Sequence, residues 1–392
     1  MSNSVSSHVP PQPPQLPPPL LINSAAGLAD LLNAAAQSTS ISVDTESNSL
    51  FAYFHQVCLL QITLQSNDYV VDTLAVDVSA LAPLFADPAI EKIFHAAEND
   101  ILGLKRDYSF EFANVYDTML AARILGWPQA GLAAVLADRF GVYVNKSLQR
   151  ADWGRRPLNQ DLLAYAQYDT HYLLPLRNIQ EQELKAAGRW QEALENFAHL
   201  PQVEWVEKPF DPDGFWSLPR TRELDPSDLA VLRRLYLWRE DQARREDRPP
   251  FKVMGQQTLV DLSRRRPTNA GALQAISGMS AGQTRRYGAA ILHAITQGTQ
   301  DTPPAPPKRV IHAGHVRPDP KTLAIFDHLR IWRTERAQAR GVDPDIILTN
   351  DQLMMIARQA PATLEALAAA EAMGPWKQQE YGPAILQIVA AS

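Results

Sequence analysis

Three short groups of residues carry acidic side chains at spacings suited to binding a metal ion. The first group is Asp44-Thr45-Glu46. It ends a predicted strand, so alternation places Asp44 and Glu46 on one face. Two acids on a buried strand face are costly unless a cation compensates them, and Mg²⁺ prefers carboxylate oxygens. The alternative is an acidic strand end that faces solvent, because Asp-x-Glu is common by chance.

The second and third groups lie later in the chain. Asp100 ends the segment HAAEND and falls in the first turn of a predicted helix, where an acid also suits the helix dipole. The third group is YAQYD, in which Tyr165 and Asp169 are four residues apart and therefore share a helix face. The alternative for this helix is that its tyrosines pack in the core, which we expect for Tyr168 and Tyr172.

Short strands and helices surround these groups over the first 200 residues. The predicted strands are 41–46, 57–64, 69–72, 93–95 and 114–116. The predicted helices are 26–36, 78–85, 98–106, 118–125 and a long one at 159–177, and Asn23 or Ser24 can cap the first. Three early strands followed by strand and helix alternation predict an α/β domain with a mixed sheet.

After about residue 200 the strand signal disappears and the sequence repeats at an offset of 94 residues. Trp238-Arg239 matches Trp332-Arg333, and the matching continues without gaps to Tyr287-Gly288 and Tyr381-Gly382. Such a match indicates two copies of one helical domain. Residues 301–320 contain six prolines, which predicts a stiff linker between the copies.

Composition limits the class of protein. The net charge is −6, but residues 222–300 hold 13 basic and eight acidic residues, so any phosphate-binding surface is expected late in the chain. The single cysteine, Cys58, excludes an internal disulfide and a thiolate metal site and suits a reducing cytosol. No apolar run is long enough to span a membrane, and no secretory signal is recognised, so we expect a cytoplasmic protein.

In their order, types and placement, the three acidic groups resemble the motifs of the DEDD exonuclease superfamily, in its tyrosine-containing branch. The stretch KSLQRADWGRRPL at 146–158 and the residues YLLP at 172–175 look like the ribonuclease D family. The repeated Trp-Arg domain resembles the helicase-and-RNase-D C-terminal (HRDC) domain. The resemblance covers the chain from about residue 22 to its end.

The resemblance implies a ribonuclease H-like α/β exonuclease domain, a mixed sheet with flanking helices, followed by two all-α HRDC domains. The implied division is a disordered Pro-rich tail at 1–20, the exonuclease domain at 21–200, a linker at 201–222, HRDC domains at 223–300 and 319–392, and a Pro-rich linker at 301–318. It further implies two divalent ions, Mg²⁺ or Mn²⁺, bound by Asp44, Glu46, Asp100 and Asp169. Tyr165 is expected to orient the attacking water, because a phenol with a pKa of about 10 is a poor base at neutral pH.

Other residues are expected to contact the substrate. They are Thr45, Leu50, Phe51, His95, Lys146, Arg155 and Arg156. Leu50 or Phe51 would wedge against the terminal base, with a core position as the alternative. The basic residues would bind backbone phosphates, with a solvated loop as the alternative. Eight arginines of the first repeat, Arg239 among them, are further candidates for RNA contacts, whereas Trp238 and Trp332 are expected to anchor the cores.

The predicted function is a 3′→5′ exoribonuclease that releases nucleoside 5′-monophosphates in tRNA 3′-end maturation and structured-RNA processing. Its expected partners are RNA, tRNA precursors and other structured RNAs, with no membrane, and we expect a monomer. Two alternatives stay open at this point: a DNA 3′→5′ exonuclease in repair, and a non-catalytic RNA-binding scaffold. A fragment that ends near residue 210 is expected to retain the chemistry.

Overall fold

A computed structural model describes residues 16–65, 67–306 and 318–392. Six strands form one mixed sheet: β1 (Leu20–Ile22), β2 (Ser40–Ser47), β3 (Val57–Leu64), β4 (Asn67–Asp72), β5 (Glu91–Phe94) and β6 (Val115–Asp117). Their order is β1-β4-β3-β2-β5-β6. β3 is antiparallel to β2 and β4, and the other neighbours are parallel. The mixed sheet is therefore confirmed.

The two faces of the sheet differ in chemistry because successive side chains alternate between them. One face carries Ile41, Val43 and Ile62 into the largest apolar core. The other face carries Asp44, Gln61 and the buried polar residues nearby, since β2 and β3 pair Ser42 with Thr63 and Asp44 with Gln61. This second face is the one on which the acidic residues of β2 lie.

Among residues 16–65 and 67–205, eight α-helices accompany the sheet: α1 (Ala25–Ala35), α2 (Ala82–Ala86), α3 (Glu98–Tyr108), α4 (Thr118–Leu125), α5 (Leu132–Phe140), α6 (Gln160–His171), α7 (Leu173–Ala186) and α8 (Trp190–Phe197). Ser24 caps α1 by accepting from the Gly27 amide at 3.3 Å. The predicted helices agree with these bounds within a few residues at most positions, but β1, α5 and α8 were not predicted. The sequence prediction of one helix at 159–177 was wrong, because the chain breaks at Tyr172 between α6 and α7. Pro175 explains the break: it has no amide hydrogen and is tolerated only near a helix start.

In the described part of the repeated region there are ten helices: α9 (Pro226–Arg245), α10 (Pro250–Val253), α11 (Gln256–Arg265), α12 (Ala270–Gln274), α13 (Ala281–Gln300), α14 (Pro320–Arg340), α15 (Pro344–Ile347), α16 (Asn350–Gln359), α17 (Leu364–Ala369) and α18 (Pro375–Ala391). The copies correspond element by element, as the 94-residue repeat predicted.

Equivalent residues of the two copies pack alike. Trp238 meets the edge of Tyr287, and Trp332 meets the edge of Tyr381, each with ring centroids 5.7 Å apart. Their expected role as core anchors is confirmed. The proposal that Arg239 contacts RNA is wrong, because its side chain is buried and points to the Met254 carbonyl, as Arg333 points to the Leu348 carbonyl.

Contacts divide the chain into two compact units. The first comprises the described residues up to 47, residues 57–205 and the described residues from 318 onwards, so it joins the second helical copy to the sheet. In it, α14 is bound to α8 through a two-pronged ion pair between Arg340 and the buried Glu192. Arg123 also pairs with Asp343 and Asp345. The domain division predicted from the sequence placed 319–392 in a separate domain and did not include this contact.

The second unit comprises residues 48–56 and the described residues from 206 to 306. The segment 48–56 packs on the first helical copy: the backbone amides of Tyr53 and Phe54 donate to Asp247 at 3.0 and 2.9 Å. Residues 214–223, inside the predicted linker, form two short 3₁₀ turns, and Phe215 there is fully buried. Most of the predicted tail and of the predicted linker at 301–318 lies outside the described residues. Within the described ranges, no helix combines the length and the apolar character needed to cross a membrane.

Candidate active site

Three carboxylates from two elements converge in the first unit. Asp44 and Glu46 extend from β2, and Asp169 extends from α6, which packs on that face of the sheet. One oxygen atom from each lies within 4.8 Å of the others. The strand alternation that placed the first two on one face is what aligns them toward α6.

Asp100 lies beside this group, in the first turn of α3, and is buried. Its carboxylate accepts from the backbone amide of Thr45 at 3.0 Å and from the Thr45 hydroxyl at 2.5 Å. Thr45 therefore joins the second acidic group to the first. Thr45, which lies between the two acids of β2, is observed to hold the carboxylate of Asp100.

Asp117 organises the turn that carries Asp100. The backbone of Ala96 has φ +65°, in the left-handed region, and the Asp117 carboxylate accepts from the amides of Ala96 and Ala97 at 3.0 and 2.9 Å. The same carboxylate caps α4 through the amides of Met119 and Leu120. One buried acid thus fixes the geometry between β5 and α3.

His95 lies at the end of β5 and lines the cleft. Its Nδ1 is 2.9 Å from the Thr118 hydroxyl, and its Nε2 is buried with no hydrogen-bond partner. Burial lowers the pKa of His95 to about 4, so the ring is neutral at pH 7. A neutral, buried ring offers no positive charge to a phosphate, so His95 is better suited to packing in the wall of the site.

A buried polar cluster holds α6 in place. The Asp68 carboxylate accepts from Gln167 Nε2 at 2.6 Å and from Thr63 Oγ1 at 2.6 Å, and it lies 2.8 Å from His171 Nδ1. Thr63 also bonds Thr170 at 2.7 Å. These contacts are made by the side of α6 opposite to Tyr165 and Asp169. They fix the position of the helix, and therefore the positions of those two side chains.

The electrostatics of the site call for positive charge. Burial, followed by Asp169 and Asp100, raises the pKa of Glu46 to about 9. Burial likewise raises the pKa of Asp100 and of Asp169 to about 7. The pKa of Asp44 is raised well above its usual value by burial and by its three acidic neighbours. Without a cation, burial and mutual repulsion favour the protonated form of each of the four acids.

This donor set fits divalent metal ions. It consists of carboxylate oxygens alone, which hard cations such as Mg²⁺ and Mn²⁺ prefer. A bound cation would remove the repulsion that raises the four pKa values. Asp44, Glu46, Asp100 and Asp169 are the residues able to hold such ions.

Tyr165 lies beside these acids and keeps its proton. Burial, then the charge of Asp169, raises the pKa of its hydroxyl far above the usual value. The phenol is therefore suited to hydrogen bonding and unsuited to removing a proton at neutral pH. Its ring packs 6.0 Å from the ring of Trp153.

The acids open into a cleft of about 460 Å³. The lining includes the candidates Asp44, Glu46, His95, Lys146, Tyr165 and Asp169, together with Met119, Gln129 and Gln149. Lys146 begins a 3₁₀ turn, at which Asn145 caps the Ser147 amide. One cavity is therefore lined by carboxylates, by the ammonium group of Lys146 and by amide side chains.

The remaining candidate residues for substrate contact are not among those that line this cleft. Arg156 is engaged by Asp72 at 2.6 Å and by the Cys58 carbonyl at 3.0 Å, so it fastens the loop before α6 to β4. Arg155 is exposed. Leu50 and Phe51 belong to the second unit, where Leu50 is exposed and Lys252 Nζ lies 3.4 Å from the centre of the Phe51 ring.

Sequence reasoning missed two acids that shape the site. Asp117 directly precedes a predicted helix, so its capping position was a readable signal. Asp68 gave no local signal, because its partners Gln167 and His171 are about one hundred residues away in sequence.

Comparison with known families gives matches over most of the chain. A 3′-5′ exonuclease family model matches residues 20–185, and the HRDC domain model matches 228–295 and 322–389. A ribonuclease D from Gluconacetobacter diazotrophicus is 27% identical over 376 residues, which cover 95% of this chain and 93% of that protein. The matched segments contain the acidic residues and both helical copies.

Solved structures share the fold. The catalytic core of RRP6 from Trypanosoma brucei has a TM-score of 0.65 and 29% identity, with 72% of this chain and 80% of that chain covered. The Escherichia coli RNase D, described as an exoribonuclease involved in structured RNA processing, has a TM-score of 0.61 over 95% of this chain and 99% of that chain. At 23% identity this second likeness supports the fold alone.

Proposed function

We propose that this chain, a 3′-5′ exoribonuclease of the ribonuclease D family, removes nucleotides from RNA 3′ ends as nucleoside 5′-monophosphates by a two-metal-ion mechanism. The observation that supports this mechanism most is the convergence of Asp44, Glu46 and Asp169 within 4.8 Å. Asp100 and a protonated Tyr165 stand beside them. The chemistry of the site is thus phosphodiester hydrolysis at a carboxylate cluster.

Asp44, Glu46, Asp100 and Asp169 are the residues that would hold two divalent ions, Mg²⁺ or Mn²⁺. The chemistry that such ions supply when bound is activation of water and stabilisation of the attacking and leaving oxygens. The charges of the other three acids all act on Asp44, so it is central among the residues that would hold the ions.

The other residues of the cleft orient the reactants. The Tyr165 hydroxyl hydrogen-bonds the attacking water and directs it at the phosphorus atom of the last phosphodiester bond. The Lys146 ammonium lines the same cleft and offsets the charge of a phosphate oxygen. Asp68 and Asp117 touch no reactant and act by holding α6 and the turn before α3.

The proposed substrates are structured RNAs, tRNA precursors above all, acted on in the cytoplasm by a monomer. The ribonuclease D relative supports RNA as the substrate class. The excess of basic residues at 222–300 supports the first helical copy as a further RNA contact. Many of its arginines are already paired, for example Arg266 with Asp228 and Arg286 with Glu246, so the free positive surface is smaller than the sequence count.

A degradation time course tests this function. RNA and DNA of the same sequence, labelled at the 5′ or the 3′ end, are incubated with the full chain and Mg²⁺, Mn²⁺ or EDTA. We expect a ladder from 5′-labelled RNA, immediate mononucleotide release from 3′-labelled RNA, and no reaction in EDTA. Faster degradation of DNA would favour a repair exonuclease, and binding without hydrolysis would favour an RNA-binding scaffold.

A further inference from the structure

Gln61 is a fully buried amide with no hydrogen bond. Its exposure is 0%, and neither its Nε2 nor its Oε1 has a partner. It lies in the middle of β3, whose neighbours in sequence are Leu60 and Ile62. A buried polar group without a partner destabilises the folded state, so a residue of this kind at such a place needs a reason.

The strand register shows which groups the amide can reach. Gln61 is paired with Asp44 of β2 on one side and with Val70 of β4 on the other. Directly paired residues of antiparallel strands project from the same face, with their Cβ atoms about 4.5–5.5 Å apart. The polar cross-strand neighbour of Gln61 is therefore the carboxylate of Asp44.

The nearest polar side chain along β3 is already engaged. The Thr63 hydroxyl, two residues along β3, bonds Asp68 and Thr170. Val70 packs with Tyr165 and Ala166 in an apolar cluster beneath α6. The Asp44 carboxylate is the polar group directly across from Gln61, and its oxygen atoms can accept a hydrogen bond from the amide N–H.

We propose that Gln61 is a positioning residue of the metal site, whose amide Nε2–H donates to the Asp44 carboxylate when divalent ions are bound. The inference rests on the proposed function. Carboxylates that ligate metals are commonly hydrogen-bonded in turn, and loss of such a partner weakens metal affinity by roughly 10–100-fold. A role beside the metal ligand Asp44 thus gives the buried amide of Gln61 a reason to be there.

The test is Gln61→Met, which keeps the length of the side chain and removes the amide. Two readouts should move in opposite directions. In EDTA, the melting temperature should rise, by roughly 2–4 °C for each kcal/mol of relieved penalty. In calorimetric titration with Mn²⁺, the affinity should fall by roughly 10–100-fold. The KM for RNA at saturating Mn²⁺ should stay unchanged.

Ser42→Ala is the matched control. The Ser42 hydroxyl is also buried and unpaired on the same face, but its register partner is Thr63. It should leave Mn²⁺ affinity unchanged. Should Gln61→Met fail to fold, Gln61→Leu also removes the amide and should lose affinity as well. Unchanged Mn²⁺ affinity in either folded Gln61 variant overturns the proposal. Failure of the wild type to hydrolyse RNA while it binds Mn²⁺ would instead overturn the proposed function.

Discussion

The ion pair between Arg340 and Glu192 predicts that the second helical copy stabilises the catalytic unit. Glu192 on α8 is fully buried, and the Arg340 side chain is 13% exposed. The guanidinium donates to both carboxylate oxygens of Glu192 and also to the Tyr381 hydroxyl. Arg340→Met removes the cation that is hydrogen-bonded to the buried Glu192, and only the more distant charges of Arg189 and Lys377 still act on it.

Removing one partner of a buried ion pair costs about 3–5 kcal/mol. For domains of about 150–250 residues, each kcal/mol corresponds to roughly 2–4 °C in melting temperature. We therefore expect Arg340→Met to lower the melting temperature by about 6–20 °C, measured by differential scanning calorimetry in excess Mg²⁺ at pH 7. Nuclease activity should survive at low temperature and fail at a correspondingly lower temperature than in the wild type.

Two further variants separate the ion pair from general damage to α14. The double variant Arg340→Met with Glu192→Leu removes both charges and should recover most of the loss, since an apolar replacement of a buried pair is often neutral. Arg330→Met, on the same helix, breaks an exposed pair with Asp327 and should cost less than about 1 kcal/mol. A melting temperature for Arg340→Met within 2–3 °C of the wild type would refute the reasoning.

The acidic cluster and the residues around it give three more predictions. The pKa of Glu46 is raised to about 9 in the folded protein without metal, against about 4.3 in an unfolded chain, so folding takes up a proton at pH values between these two. The melting temperature in EDTA should therefore fall as the pH rises from 6 to 9, and Mg²⁺ should suppress that fall. A melting temperature in EDTA that does not depend on pH would contradict this prediction. Tyr165→Phe should lower the rate by at most about 10²–10⁴-fold and less than loss of a carboxylate, in single-turnover assays at saturating Mg²⁺; inactivity equal to that of a carboxylate variant would mean more than orientation of water. Asp68→Ala should lower the melting temperature and also weaken Mn²⁺ binding, because Thr63, Gln167 and His171 lose their common partner and α6 loses its position. Reduced stability with unchanged Mn²⁺ affinity would mean that Asp68 stabilises the fold without positioning the metal ligands.

Short-range patterns predicted the parts of the site that lie within one element. Alternation along β2 gave the shared face of Asp44 and Glu46, and helical spacing gave the shared face of Tyr165 and Asp169. The 94-residue repeat gave two helical copies. In each case the deciding contacts span only a few residues, or repeat at a fixed offset, so the sequence carries them directly.

Contacts between distant residues could not be predicted in this way. Asp68 holds α6 through partners about one hundred residues away, and the repeat does not reveal that the second copy packs on α8. Two residues at that contact differ from the equivalent residues of the first copy: Arg340 stands where the first copy has Glu246, and Lys377 where it has Gln283. The expectation that a fragment ending near residue 210 retains the chemistry overlooked this packing. Such a fragment lacks α14 and α18, which contact α8 in the first unit.

The most direct test of the account compares wild type with Asp44→Asn on 5′-labelled RNA in Mg²⁺. Asparagine keeps the size of the side chain and removes the charge that the metal site requires. We predict a loss of hydrolysis of about 10³-fold or more, with RNA binding and the folded state retained. Near-normal turnover by purified Asp44→Asn would contradict the assignment of this carboxylate cluster as the catalytic site.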